Sequence, residues 1–140
     1  TPAQLEIGRA GIVREGNDVQ IWALGPWIED ALALADRLAV EKGLSVGVVN
    51  PRFVKPLDKS LLAQQAGRAR LIVTMEDHSA EGGFGGAVLE ALAEMGIRVP
   101  VEVVGWPDRF VPHASDIAEL RSLCGIDAES IHRRVLARLA

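Results

Sequence analysis

The sequence predicts an α/β fold: three layers, with a doubly wound, mostly parallel sheet of about five strands between helices. Three observations carry this. Short β-rich runs alternate with segments whose apolar residues recur at helical spacing, the order that builds parallel sheets. The β-rich runs are nearly continuous in apolar residues, as strands covered on both faces must be. Glycine, proline and capping residues fall at the junctions between the two kinds of segment.

In chain order, residues 1–17 form a lead-in with an edge strand around Gly11-Ile12-Val13, and residues 18–140 form the α/β core of one domain. Residues 18–24 (DVQIWAL) read as a strand closed by Gly25. Pro26 then occupies a first helical turn, where its missing N–H is no loss. Trp27, Ile28, Ala31, Leu34, Ala35 and Leu38 recur at helical spacing, and Gly43 supplies the stop. Residues 44–50 are the next strand. Asp58 is the N-cap of a shorter helix with Leu61, Leu62, Gln65 and Ala66 on one face. Residues 71–75 (LIVTM) form a strand. The helix after the glycines at 82–86 turns Phe84, Ala87, Val88, Ala91, Leu92 and Met95 inward and ends at Gly96. Residues 99–104 form the last strand. Ser115 caps a short helix through Leu123, and Asp127 caps a final one with Ile131, Val135, Leu136 and Leu139 inward. In such a sheet the loops at the carboxyl ends of the strands share one edge, where ligands bind. Residues 25–27, 50–55, 76–86 and 105–110 are therefore expected on one rim.

Composition narrows the function classes. The chain has 140 residues, enough for one sizeable core. Its net charge is -4, from 15 basic and 19 acidic residues, which argues against the basic face of a nucleic-acid binder. No apolar run approaches the ~20 residues of a membrane-spanning helix. Cys124 is the single cysteine, so a disulfide framework and a thiolate metal cluster are excluded, and the expected compartment is the cytoplasm. The opening TPAQLEIGRAG reads as the interior of a longer protein, and the chain is expected to be a fragment.

Four stretches invite a chemical reading. Gly82-Gly83-Phe84-Gly85-Gly86 at a helix start offers unpaired N–H groups to an anion. It matches neither GxxxxGK[ST] nor GxGxxG, and tight packing of the helix start against a neighbouring backbone is the favoured reading. Glu76-Asp77-His78 has the composition of an acid–base set. Side chains alternate at a strand end, so two of the three converge at most, and a solvated rim or interface set is favoured. Residues 50–58 (NPRFVKPLD) make a proline-stiffened loop whose Arg52 and Lys55 suit a phosphate or carboxylate, or pair with nearby acids. Residues 106–113 (WPDRFVPH) resemble it in stiffness, and exposed aromatics there suit a protein contact. His113 and Cys124 are read as structural. No nucleophile elbow or triad assembles, which is what half of a composite site looks like.

NPRFVKPLD at 50–58, EDH at 76–78 followed by GGFG at 82–85, PDRFVPH at 107–113 and LCGID at 123–127 together closely resemble the carboxyl-terminal domain of 1-deoxy-D-xylulose-5-phosphate synthases. The broader group, the transketolase carboxyl-terminal domain, also occurs in transketolases and in 2-oxoacid dehydrogenase beta subunits. The resemblance covers essentially all 140 residues. It implies a full-length homodimeric enzyme that condenses pyruvate with D-glyceraldehyde 3-phosphate and releases carbon dioxide, serving isoprenoid, thiamine and pyridoxal synthesis. It implies thiamine diphosphate and magnesium as cofactors, held by preceding domains. No catalytic, cofactor-binding or metal residue carries over to this chain, which is expected to be inactive alone. The expected contact rim toward the preceding domains and the dimer partner is Arg52, Lys55, Glu76, Asp77, His78, Gly82, Gly83, Asp108, Arg109 and His113. The alternatives are the same domain in another thiamine-diphosphate enzyme, or an independent anion-binding α/β domain.

Overall fold

Burial on two faces organises the strands. β2 (Val19–Ala23) is buried along its whole length, between β3 (Val46–Asn50) and β4 (Leu71–Ser79), with β5 (Val101–Trp106) beyond β4. These four strands are parallel. β1 (Gly11–Arg14) joins the outer edge of β3 antiparallel, giving the order β1-β3-β2-β4-β5. The computed structural model describes residues 3–113 and 116–140, and the expected cap Ser115 lies outside them.

Two helical layers cover the sheet. α1 (Ile28–Lys42), entered through a 3₁₀ turn at Gly25–Trp27, packs on one face together with α5 (Ala128–Leu139). α2 (Lys59–Ala66) and α3 (Phe84–Glu94) pack on the other. Alternate strand residues feed the two cores: Ile21, Val48, Val73 and Met75 meet Trp27, Leu38, Ile131 and Val135, whereas Trp22, Val49 and Ile72 meet Leu62, Phe84 and Val88. The three-layer fold expected from the sequence is the one adopted. No helix among the described residues is long and apolar enough to cross a membrane.

Aspartates set the helix starts. Asp58, only 6% exposed, caps α2 through a 3.0 Å bond from Leu61 N–H and also takes Ala10 N–H at 3.0 Å, so one carboxylate anchors both a helix and the lead-in. Asp127 accepts from the N–H groups of Glu129 and Ser130 at the start of α5. Asp116 accepts from Glu119 N–H at 2.8 Å at the start of the short α4 (Ile117–Leu123), which buries none of its residues. Gly43, at φ +65°, closes α1 as expected.

Among the differences from the sequence expectation are two strand boundaries and one buried residue. β4 continues past Met75 to Ser79, because Ala80 N–H bonds Trp106 O at 2.8 Å and the ladder resumes at Ser79↔Trp106 after a bulge. β5 is displaced C-terminally from 99–104, since its pairing begins at Val101 opposite Ile72. On α5 the buried set includes His132, absent from the apolar pattern. His132 Nε2 lies 3.0 Å from Glu41 Oε2 on α1.

Around His132, Arg37 joins the two helices by bonding Glu41 at 2.8 Å and Glu129 at 2.7 Å. The Arg37 hydrogen bond is the largest cause holding both carboxyls below the ordinary glutamate value. A carboxyl depressed on folding stabilises the native state above its unfolded pKa, and that contribution vanishes as pH falls through the folded pKa. Arg37→Ala is therefore expected to flatten the acid limb of stability below about pH 4.5, the ordinary value for both glutamates, with little change at the lowest pH. Urea midpoints measured against pH check this, and an unchanged acid limb would contradict it.

Candidate functional site

Chain direction creates a crevice at one point of the sheet. β2 leads to α1 on one face and its neighbour β4 leads to α3 on the other, so their loops part at the carboxyl ends. A cleft of about 370 Å³ opens there, lined by Leu24, Val54, Glu76, His78, Phe84 and Glu90 among others. Of the four loops expected on one rim, 50–55 and 76–86 contribute to its lining.

Glu76 is the centre of the site. Strand alternation turns it toward the α3 side, with Ile72 and Thr74 before it and His78 after it. It is fully buried. Its Oε1 accepts from Phe84 N–H and its Oε2 from Gly85 N–H, both at 2.6 Å. A carboxylate from β4 thus occupies the positive end of α3 and pairs donors that an external anion would seek. The glycines follow from this placement. A Cβ on Gly83 would collide with Glu76 Oε1 and Ser79 O, and one on Gly85 would sit 2.5 Å from Val103 Cγ1. Gly82, at φ +72°, turns the chain into that approach, whereas a Cβ on Gly86 would meet open space. At Gly83 and Gly85 the close approach is thus made within the chain itself.

The other rim residues disperse. Asp77 points to the opposite face, where its Oδ1 accepts from Trp106 Nε1 at 2.7 Å. His78 is largely exposed at the cleft mouth, with Nδ1 4.0 Å from Glu76 Oε1. Arg52 has φ +58°, donates its N–H to Asn50 Oδ1 at 3.0 Å, and lays its guanidinium over Gly11 of β1, away from the cleft. Lys55 is exposed on the loop beside Val54. Asp108, Arg109 and His113 are exposed along the loop after β5, and Phe110 between them is entirely uncovered. The structure brings Glu76, His78, Gly82 and Gly83 together at the cleft and leaves Arg52, Asp108, Arg109 and His113 outside its lining. Leu24, Val54 and Glu90 line it without having been singled out. The signal for Glu90 was its place with Ala87 and Ala91 on one turn of α3.

Chemically the arrangement positions a helix and presents an apolar cleft with acidic edges. It does not fit a magnesium-bridged diphosphate: the first-turn N–H groups of Phe84 and Gly85 are spent on Glu76, and no group of three or more His, Cys, Asp or Glu among the described residues is placed to hold a metal ion. Glu76→Gln replaces one acceptor oxygen with an NH₂ that faces a donor. It should cost about 1.5–3 kcal/mol of unfolding free energy, the range for hydrogen bonds to a charged group. Gly83→Ala should also destabilise, and combining it with Glu76→Ala should cost less than the sum, because both break one contact. Urea unfolding of the four proteins measures this, and strict additivity would refute it.

Comparison with known proteins places the fold in a family. The model of the transketolase C-terminal domain matches residues 8–131. The 1-deoxy-D-xylulose-5-phosphate synthase of Thermomicrobium roseum is 52% identical over 139 residues, covering 99% of this chain and 22% of that protein. The synthase of Acidobacterium capsulatum is 43% identical over 129 residues, covering 92% of this chain and 20% of that protein. The chain thus spans about a fifth of the length of the curated relatives it matches. Among solved structures, a split-gene transketolase described as an inactive beta4 tetramer superposes with a TM-score of 0.87 at 36% identity, covering 98% of this chain and 44% of that one. The chain belongs to the transketolase C-terminal domain family.

Proposed function

We propose that this chain is the carboxyl-terminal domain of a 1-deoxy-D-xylulose-5-phosphate synthase, a cytoplasmic homodimer. The longer enzyme condenses pyruvate with D-glyceraldehyde 3-phosphate, losing carbon dioxide and forming 1-deoxy-D-xylulose 5-phosphate. Thiamine diphosphate supplies the carbanion chemistry when bound, with magnesium, in the preceding domains. This domain contributes a contact rim rather than a reacting group. The observation that carries the reading is the 52% identity to a named synthase across 99% of the chain. The rim suits the role, since its one deeply buried acid is committed to a helix start and its most exposed aromatic, Phe110, offers an apolar contact.

Two measurements test the proposal. The polypeptide encoded by the whole reading frame should form 1-deoxy-D-xylulose 5-phosphate from the two substrates, in a reaction abolished by removing thiamine diphosphate or magnesium. This chain alone should give no calorimetric heat with thiamine diphosphate and no turnover of pyruvate. Micromolar cofactor binding by the isolated chain would overturn the assignment of the cofactor to other domains. A whole-frame product lacking the synthase reaction would overturn the substrate assignment.

A further inference from the structure

The loop between β3 and α2 and the outer face of α3 enclose a furrow that continues from the cleft at the switch point. Its two sections, of about 370 and 560 Å³, share Val54, Ala87 and Glu90. The floor is apolar, with Val54, Leu57, Ala87 and Ala91. Its walls are charged in opposite senses. Lys55 and Lys59 stand on the loop side, and Glu90 and Glu94 stand on α3. Lys59 Nζ meets Glu94 Oε2 at 2.5 Å, whereas Lys55 and Glu90 have no partner among the described residues.

The lead-in arrives at this furrow. Gly8 packs on Pro56 so closely that a Cβ there would sit 2.9 Å from Pro56 Cγ, and Ala10 N–H is held by Asp58 at 3.0 Å. The chain before Gly8 therefore departs from the loop wall. It carries Leu5 and Ile7, which are 56% and 75% exposed. Five extended residues back from Gly8 reach at most about 17 Å. The 11-residue α3 is about 16 Å long, so Ala3 lies within about one furrow length of Gly8. A second copy is a poor occupant, because two concave surfaces facing each other leave a gap that close-packed interfaces do not contain.

We propose that the furrow seats a convex segment of the domain preceding Ala3 in the same polypeptide. The segment presents an apolar ridge, with acidic groups toward Lys55 and Lys59 and basic groups toward Glu90 and Glu94. This rests on reading the chain as the carboxyl-terminal part of a longer enzyme, but not on that enzyme's substrates.

Hydroxyl-radical footprinting of the whole-frame polypeptide and of this chain tests the seat. Labelling of Val54 and Leu57 is expected to be strong in this chain and lost in the longer protein. In the longer protein, Glu90→Lys with Glu94→Lys should restore labelling and lower the unfolding midpoint by roughly 3 °C. The same changes in this chain should leave its fold intact, since the one pair they break is exposed. Adding Lys55→Glu with Lys59→Glu discriminates the occupant. Reversing both walls leaves a fixed preceding segment mismatched, so labelling stays high. Two copies related by a two-fold axis along the furrow would regain their match, and recovered protection would overturn the proposal in favour of a dimer. Equal labelling of the wild-type furrow in both proteins would also overturn it. Loss of the synthase reaction with the furrow still protected would count against the substrate reading alone.

Discussion

The rim depends on one carboxylate. Glu76 leaves β4 in the direction that strand alternation dictates and enters the N-terminal turn of α3, where it takes two backbone donors at 2.6 Å. Burying a charge without partners is costly, and here both oxygens are paired at the end of the helix whose dipole favours a negative charge. The consequence is geometric. β4 and α3 can meet this closely only if Gly83 has no side chain and Gly82 takes a left-handed turn. The cleft beside them takes its position from that approach.

A related device recurs elsewhere in the chain. Asp58, Asp116 and Asp127 each pair N–H groups at a helix start, and Asp58 also holds Ala10. Glu102 is nearly buried on β5 and is gripped from α5 by Arg134 and Arg138, tying that helix to the sheet edge. The acids most buried in this domain are thus consumed by architecture. That leaves the rim with exposed groups of both signs and an apolar floor.

A catalytic rim would need a titratable group that is both accessible and oriented by a partner. His78 is accessible, and its nearest acid, Glu76, takes a backbone donor on each oxygen. Arg52, the cation of the most distinctive loop, lies along β1 instead of pointing into the cleft.

Much of this molecule was legible in the sequence. Continuous apolar strands, helical spacing and the caps Asp58 and Asp127 are local signals, and each produced the element it announced. The meeting of the 50–55 and 76–86 loops at the cleft followed from topology, because parallel strands place their carboxyl-end loops along one edge. What sequence could not supply were facts that depend on two distant segments meeting. His132 looked polar and is buried because Glu41 from another helix stands opposite. Glu76 looked like part of an exposed triplet and is buried because a helix begins eight residues later directly above it. Order and kind of elements could be read from residue pattern, since burial pattern and capping are short-range properties. Which acids became fixed parts of the frame, and which side chains stayed exposed, depended on folding, because pairing energies are set by the spatial neighbour and not by the chain neighbour.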